Sequence, residues 1–257
     1  IKVNNNTLEL DFTGTSDQLK DNFNAPLAVT KSVILYTLRT LIDKNIPLNQ
    51  GCLIPVKIKI PKKSMLSPQY PAAVVAGNVE TSQVLVDLIN TTLGIQAASY
   101  GTMNNLTFGN KNFGYYETIC GGEGASKNNH GSDAVQCHMT NTSITDPELL
   151  EWFYPVRLNR FEIRKNSGGE GKWNGGNGVI REIVFLKHLN VTILSNRRVT
   201  KPHGINGGLN GKKGINSLVN KIGIIKKLKP CDQVKVKPGD ILTIYTPGGG
   251  GYGNKKN

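Results

Sequence analysis

The sequence lacks the patterns of several common classes of protein. Its four cysteines, Cys52, Cys120, Cys137 and Cys231, form no C-x-x-C pair, so zinc-finger and dithiol redox motifs are absent. No apolar run approaches the roughly 20 residues that a membrane-spanning helix needs, and the polar first residues do not predict a signal peptide. We expect a cytoplasmic protein with buried free thiols, although a metal or disulfide pair between Cys120 and Cys137 stays open.

A phosphate-binding loop is also missing. The Gly-Lys pair at Gly171 and Lys172 has no glycine five residues before it and no Ser or Thr after it, so the pattern G-x-x-x-x-G-K-[ST] fails. The second glycine run, at residues 247–253, is followed by no predicted helix. Neither glycine run therefore supports an ATP site on this chain, and we assign no residue of this chain as a metal ligand.

Acidic residues are scarce in the last third of the chain. The formal net charge is +13, and residues 187–257 hold 14 Lys and Arg against two acids. A solvated lysine-rich surface, attraction of an acidic partner subunit and binding of nucleic acid all fit this pattern. Few aromatic side chains lie among these lysines, which argues against a platform for stacking nucleic-acid bases.

Polar and glycine-rich blocks dominate residues 76–142, where a purely structural core would have Leu, Ile and Val. The first block, residues 77–83, contains Asn78, Glu80, Thr81 and Ser82 at the predicted start of a helix. Exposed N–H groups there favour an anion or a polar substrate group. Simple capping of the helix explains the same residues.

Periodicity predicts an α+β fold, with a mixed helix-and-strand part over residues 1–155 and a β-rich part over residues 156–257. The predicted elements are helices at 24–43 (capped by Asn24), 81–94 and 147–154 and strands at 7–12, 56–60, 115–119, 134–142, 156–164, 179–186, 191–195, 232–236 and 241–245. The asparagines near residue 104 predict a loop that hydrogen-bonds a ligand or itself.

His138 is the best candidate for acid–base chemistry. It lies in the polar region, and adjacent blocks contain Glu117 and Glu80. A lone histidine on a strand also fits a hydrogen-bonded structural residue. The residues alone leave both interpretations open.

Eight blocks together resemble the hydantoinase B/5-oxoprolinase family, in the family's order and over the whole chain. They are DFTGTS at 11–16, NAP at 24–26, GNVETSQ at 77–83, GTMNN at 101–105, YET at 116–118, HMTNT at 138–142, SGGEGKW at 167–173 and TPGGGGYG at 246–253. The resemblance is to the C-terminal half of a subunit about twice this long. The first residue, Ile1, also fits a chain entered partway.

The resemblance implies an enzyme that opens a cyclic amide with ATP, such as 5-oxoproline or an N-methylhydantoin. A hydantoinase A-type partner, which would bind ATP and Mg²⁺, phosphorylates the carbonyl oxygen, and the B part directs water onto the activated carbon. Such chemistry needs hydrogen-bond donors for a developing oxyanion and groups that move protons. We assign proton transfer to Glu80, Glu117 and His138. Substrate binding is assigned to residues with polar side chains in the same blocks: Asn78, Thr102, Asn104, Asn105 and Asn141.

The family's metal-binding acids and histidines lie, by resemblance, in the N-terminal half of the subunit, and that stretch does not occur here. The expected partners are therefore the hydantoinase A-type subunit and the N-terminal half of the B subunit, within an oligomer. The alternatives are an acetone- or acetophenone-carboxylase-type subunit, a non-catalytic remnant of a split gene and, on charge alone, a nucleic-acid binder.

Overall fold

The structure is a computed structural model that describes residues 1–255. Over these residues the chain forms three α-helices and twelve β-strands, which confirms the predicted α+β class. The chain divides into two compact units, Ile1–Leu93 and a second from Gly94 onward. No helix in the part that the structure describes is long and apolar enough to cross a membrane.

The first unit combines a small sheet with two helices. Its elements are β1 (Lys2–Asn4), β2 (Thr7–Asp11), α1 (Leu27–Thr40), β3 (Val56–Lys59) and α2 (Ser82–Thr92). Strand β2 pairs antiparallel with β1 and parallel with β3. A π-helical turn, Gly77–Thr81, leads into α2.

The second unit contains two antiparallel sheets and one short helix. Its elements are β4 (Asn105–Gly109), β5 (Gly114–Glu117), α3 (Pro147–Phe153), β6 (Val156–Ile163), β7 (Val179–Phe185), β8 (Leu189–Leu194), β9 (Ile215–Val219), β10 (Ile225–Leu228), β11 (Cys231–Val236) and β12 (Ile241–Tyr245). The strand order is β10-β9-β12-β7-β6 in one sheet and β11-β8-β4-β5 in the other.

A single apolar core joins the two sheets of the second unit. Phe108 on β4 and Val191 on β8 belong to the same buried cluster as Phe185 on β7 and Leu242 on β12. Strand β8 alternates buried and more exposed side chains, as expected when one face of a sheet covers a core, whereas β12 buries three consecutive residues, Leu242–Ile244. Burial of this apolar area is the main force that holds the sheets together.

The compact units meet at Leu93 and Gly94, whereas the sequence predicted a boundary at residue 155. Residues 94–155 contain β4, β5 and α3, and the two strands belong to the β11-β8-β4-β5 sheet of the second unit. A division of function at residue 155 stays a prediction.

Several local predictions are wrong for identifiable reasons. Asn24 does not cap α1, because its side-chain amide donates instead to the carbonyls of residues 19, 21 and 73. The strand predicted at residues 134–142 is absent, since Ala134 and His138 adopt left-handed backbone conformations that interrupt an extended chain. Strands β9 and β10 were not predicted, and β4 occupies part of the predicted asparagine loop.

The glycine-rich segments of the second unit pack backbone against backbone. Gly249 donates its N–H to the carbonyl of Gly176 at 2.9 Å and accepts from the N–H of Gly169 at 2.8 Å. A Cβ added to Gly249 would lie 1.9 Å from the carbonyl oxygen of Glu123. Glycine is required here because neighbouring chains occupy the space of a side chain. In the glycine run near residue 122, Gly122 and Gly124 lie against other backbone segments, and Gly121 lies against the side chain of Tyr100.

Candidate functional site

The backbone of the glycine-rich segment at Gly124 positions a serine–histidine pair. The buried hydroxyl of Ser99 accepts a hydrogen bond from the N–H of Gly124 at 3.0 Å and lies 3.1 Å from Nε2 of His138. His138 has a φ of 59°, a conformation that costs energy in a residue other than glycine. Strain of this kind is concentrated at functional sites. The imidazole is half-buried, so its environment suits a group that exchanges protons with a ligand.

Hydrogen bonds on both sides of His138 hold its segment in place. Tyr100 donates its hydroxyl hydrogen to Oε1 of Gln136 at 2.9 Å and accepts from the N–H of Cys137 at 3.3 Å. The side-chain amide of Gln136 donates to Oγ1 of Thr118 at 3.1 Å, and the hydroxyls of Thr118 and Thr142 are hydrogen-bonded to each other. These contacts link the segment before His138 to the end of β5.

Glu117 forms a buried ion pair with Arg181. Nε and Nη2 of Arg181 donate to the two carboxylate oxygens at 2.7 and 2.9 Å, and the two side chains are 1% and 3% exposed. The pair joins β5 of one sheet to β7 of the other. Both carboxylate oxygens accept charge-assisted hydrogen bonds, an arrangement that favours a positioning role over proton transfer. The catalytic assignment of Glu117 stays a prediction that this geometry weakens.

Tyr115 extends this ion pair. Its hydroxyl donates to Oε2 of Glu117 at 2.8 Å and lies 3.0 Å from Oγ1 of Thr145. Burial, followed by the negative charge of Glu117, raises the pKa of Tyr115 to about 12. Burial also raises the pKa of the Cys120 thiol to about 11. Both groups are therefore protonated at neutral pH, which makes Cys120 a poor nucleophile.

A second polar network surrounds Arg198. Nη1 of Arg198 donates to Oδ1 of Asn104 at 2.6 Å, and Nη2 and Nε donate to Oδ1 of Asn216 at 2.8 and 3.1 Å. Asn104, with a φ of 47°, also donates its N–H to Oγ1 of Thr102 at 3.0 Å. The predicted substrate-binding pair Thr102 and Asn104 is thus brought together, and Asn104 orients an arginine.

The other predicted substrate-binding residues differ in their surroundings. Asn105 is buried, donates to the carbonyl of Leu194 at 2.8 Å and accepts from the hydroxyl of Tyr116 at 2.7 Å. Asn141 is exposed. In the first unit, Asn78 is exposed while Glu80 is fully buried in the π-helical turn.

The π-helical turn replaces the simple helix start that the sequence predicted. The backbone of Gly77 lies against Asn24 and Ala25, since an added Cβ would be 2.1 Å from the carbonyl oxygen of Asn24. Thr81 donates to the carbonyl of Phe23 at 2.6 Å, so it does not cap α2. Turns of this type are frequent at functional sites, and this one fixes the backbone that carries Glu80.

Sequence reasoning missed three residues of these networks: Ser99, Arg181 and Arg198. Arg181 could have been found, because it occupies an inward position in the alternation of Val179, Ile183 and Phe185 on β7. A charge on the buried face of a strand requires a partner. No comparable signal marks Ser99 or Arg198, which lie outside regular elements.

Among residues 1–255 no group of three or more His, Cys, Asp or Glu side chains could hold a metal ion. In the glycine run near residue 249, neighbouring backbone segments occupy the space beside the glycines. The expectation that ATP and any metal ion are bound outside this chain stays a prediction.

The second unit thus combines a two-sheet scaffold, buried arginines held by amides or a carboxylate, and a histidine at a positive φ. The family model of hydantoinase B/oxoprolinase matches residues 1–255. The chain belongs to the hydantoinase B/oxoprolinase family.

Three comparisons define its relationships. The chain is 54% identical to 5-oxoprolinase 1 of Arabidopsis thaliana over 244 residues, which is 95% of this chain and 19% of that protein. It resembles the crystal structure of the ATP-dependent caprolactamase from Pseudomonas jessenii with a TM-score of 0.82 at 23% identity, over 93% of this chain and 45% of that one. It also resembles an acetone carboxylase structure, with a TM-score of 0.79 at 18% identity over 96% of this chain and 39% of that one.

The chain thus spans about a fifth of the length of the plant 5-oxoprolinase and less than half of each solved chain. The structural likenesses, at these identities, establish the fold. Activity, substrate and partners are properties of the whole proteins.

Proposed function

We propose that the chain is part of an enzyme that opens a cyclic amide by ATP-dependent hydrolysis, 5-oxoproline or an N-methylhydantoin, together with a hydantoinase A-type partner. The observation that carries the proposal is family membership over residues 1–255. The 54% identity to a 5-oxoprolinase favours 5-oxoproline as the first substrate to test.

His138 is the group that we propose for proton transfer to or from water. Its half-buried imidazole lies 3.1 Å from the Ser99 hydroxyl, which the N–H of Gly124 holds in turn. A neutral imidazole has a ring nitrogen that can accept a proton from attacking water, and the imidazolium can then return that proton to the leaving nitrogen. Glu80 is a second proposed proton carrier. ATP on the partner would supply the phosphoryl group that activates the amide carbonyl.

The arginine networks are proposed to position the reacting groups rather than to react. Asn104 and Asn216 fix Arg198, while Glu117 fixes Arg181. Side chains fixed in this way present donors and dipoles in set directions, which is the usual source of transition-state stabilisation. Asn78, Thr102, Asn105 and Asn141 remain proposed contacts to the substrate.

The test is reconstitution of activity. The chain is combined with the hydantoinase A-type partner and the N-terminal part of the B subunit, and glutamate release from 5-oxoproline is measured with and without ATP. We expect ATP-dependent release that falls about 10²- to 10⁴-fold in His138→Gln, the usual contribution of acid–base catalysis. The matched control is His188→Gln, an exposed histidine outside the networks.

Two results would count against the proposal. Wild-type release by His138→Gln would remove the assignment of proton transfer. Absence of release by the complete mixture, with every part folded, would favour the non-catalytic alternative. The same mixture supplied with acetone and bicarbonate tests the carboxylase alternative, which the fold shared with acetone carboxylase keeps in consideration.

A further inference from the structure

A cavity in the second unit is surrounded by cationic side chains. Its volume is about 290 Å³, and its lining includes Arg198, Lys213, Lys227 and Lys229. None of the ten residues that line it is acidic. Four positive charges around one small space repel each other, and an anion in that space would relieve the repulsion.

Arg198 forms a fixed inner wall of this cavity. The residue is only 8% exposed, and Asn104 and Asn216 hold its guanidinium group through the contacts described above. Gly214 lies directly against the guanidinium, since an added Cβ would be 2.8 Å from its central carbon. Because the arginine is already oriented, little conformational entropy is lost when a ligand enters.

The lysines at the mouth are available to a ligand. Lys213, Lys227 and Lys229 are exposed, and none of them takes part in an ion pair within the part of the chain that the structure describes. The nearest carboxylate along the chain, Asp232, accepts from the backbone N–H of Lys229 at 3.1 Å. It therefore reduces the positive charge at one edge only.

The remaining wall is apolar. Val199, Ile215 and Leu228 line the cavity together with Pro230. A free inorganic ion would leave this surface uncovered, whereas an organic phosphate would cover it while its phosphoryl oxygens contact the ammonium groups. Phosphoryl groups carry more charge than carboxylates and accept more hydrogen bonds, which suits a site with several cations.

We propose that this cavity binds the phosphoryl group of a small phosphorylated organic molecule. The binding uses Lys213, Lys227 and Lys229 at the mouth and the positive field of Arg198 behind them. It is independent of the reaction proposed above, because it needs neither the partner subunit nor turnover.

The experiment titrates the chain with phenyl phosphate, inorganic phosphate and glutarate at constant ionic strength, using calorimetry and the shift in melting temperature. We expect saturable binding of phenyl phosphate at one site, weaker binding of inorganic phosphate, and the weakest binding of glutarate. A ligand that binds the folded state raises the melting temperature with its concentration.

Two double variants distinguish the cavity from general charge. Lys227→Ala/Lys229→Ala removes two cations from the cavity, and we expect phenyl phosphate affinity to fall about tenfold or more. Lys221→Ala/Lys226→Ala removes the same charge from the β9–β10 hairpin outside the cavity, and affinity should change less than about twofold. Equal losses in the two variants, absence of saturable binding, or tighter binding of glutarate would each overturn the proposal.

Discussion

The ion pair between Glu117 and Arg181 offers the sharpest test of how the two sheets are joined. Each side chain is almost completely buried, and two hydrogen bonds of 2.7 and 2.9 Å connect them. Removing one partner leaves the other charge in a low-dielectric core, which typically costs about 3–5 kcal/mol. Glu117→Leu and Arg181→Met should each lower the free energy of unfolding by about that amount.

The double variant should recover most of this loss. With Leu and Met in place of both charges, neither an ion nor a large cavity remains, and replacement of a buried pair by apolar residues is often close to neutral. The hydroxyl of Tyr115 then keeps its contact with Thr145 at 3.0 Å. The double-mutant cycle should therefore give a coupling energy of several kcal/mol, well above the usual range for contacting residues.

Urea denaturation followed by tryptophan fluorescence measures these free energies of unfolding for the second compact unit. The two tryptophans, Trp152 and Trp173, both belong to the second unit. The matched control is Glu170→Gln, which breaks a pair with Lys255 whose side chains are 60% and 69% exposed. A surface pair of this kind contributes little to stability, because water and salt screen its charges. Single variants that cost under about 1 kcal/mol, or effects that simply add, would refute this account of the ion pair.

Three further outcomes are expected. Gly249→Ala, whose methyl carbon would lie 1.9 Å from a carbonyl oxygen, should abolish cooperative unfolding, whereas Gly114→Ala, with no atom within 4 Å of its added Cβ, should fold normally by circular dichroism. The pKa of Tyr115 is about 12 in the folded state and about 10 in the unfolded state, so its contribution to stability is complete below pH about 10 and is lost as the pH rises towards 12. The difference in unfolding free energy between wild type and Tyr115→Phe should therefore shrink between these pH values. A difference that stays constant would contradict the raised pKa. Alkylation by iodoacetamide at pH 8, followed by mass spectrometry, should modify the exposed Cys231 well before Cys120, whose pKa is about 11; equal rates would show that Cys120 is not protected by burial.

Strands whose sequence alternates apolar and polar residues could be predicted, whereas strands without this alternation could not. The strand from Val179 was placed correctly because Ile183 and Phe185 repeat at a spacing of two. In β9 the inward positions are Asn216 and Leu218, so an amide that serves Arg198 occupies a place where the pattern requires an apolar residue. Because the tertiary structure requires a polar side chain at this inward position, the hydrophobic pattern of the sequence does not reveal the strand.

The candidate site was likewise predictable only in part. The sequence located the polar blocks because their composition is unusual for a core, and the structure places Thr102, Asn104, Asn105 and Glu117 in buried positions. It could not say what each side chain contacts, since the partners lie far away along the chain. Asn104 meets Arg198, 94 residues further on, and Glu117 meets Arg181, 64 residues further on.

These long-range contacts change which residues are candidates for chemistry. Both carboxylate oxygens of Glu117 accept hydrogen bonds from Arg181, so these contacts hold the side chain against the arginine instead of a ligand. His138 differs, because its imidazole is half-buried and its Nε2 lies 3.1 Å from the Ser99 hydroxyl, whose position the N–H of Gly124 fixes. Among the predicted residues of the second unit, His138 therefore carries the proposal of acid–base chemistry, and the arginine pairs provide the rigid frame that such a group requires.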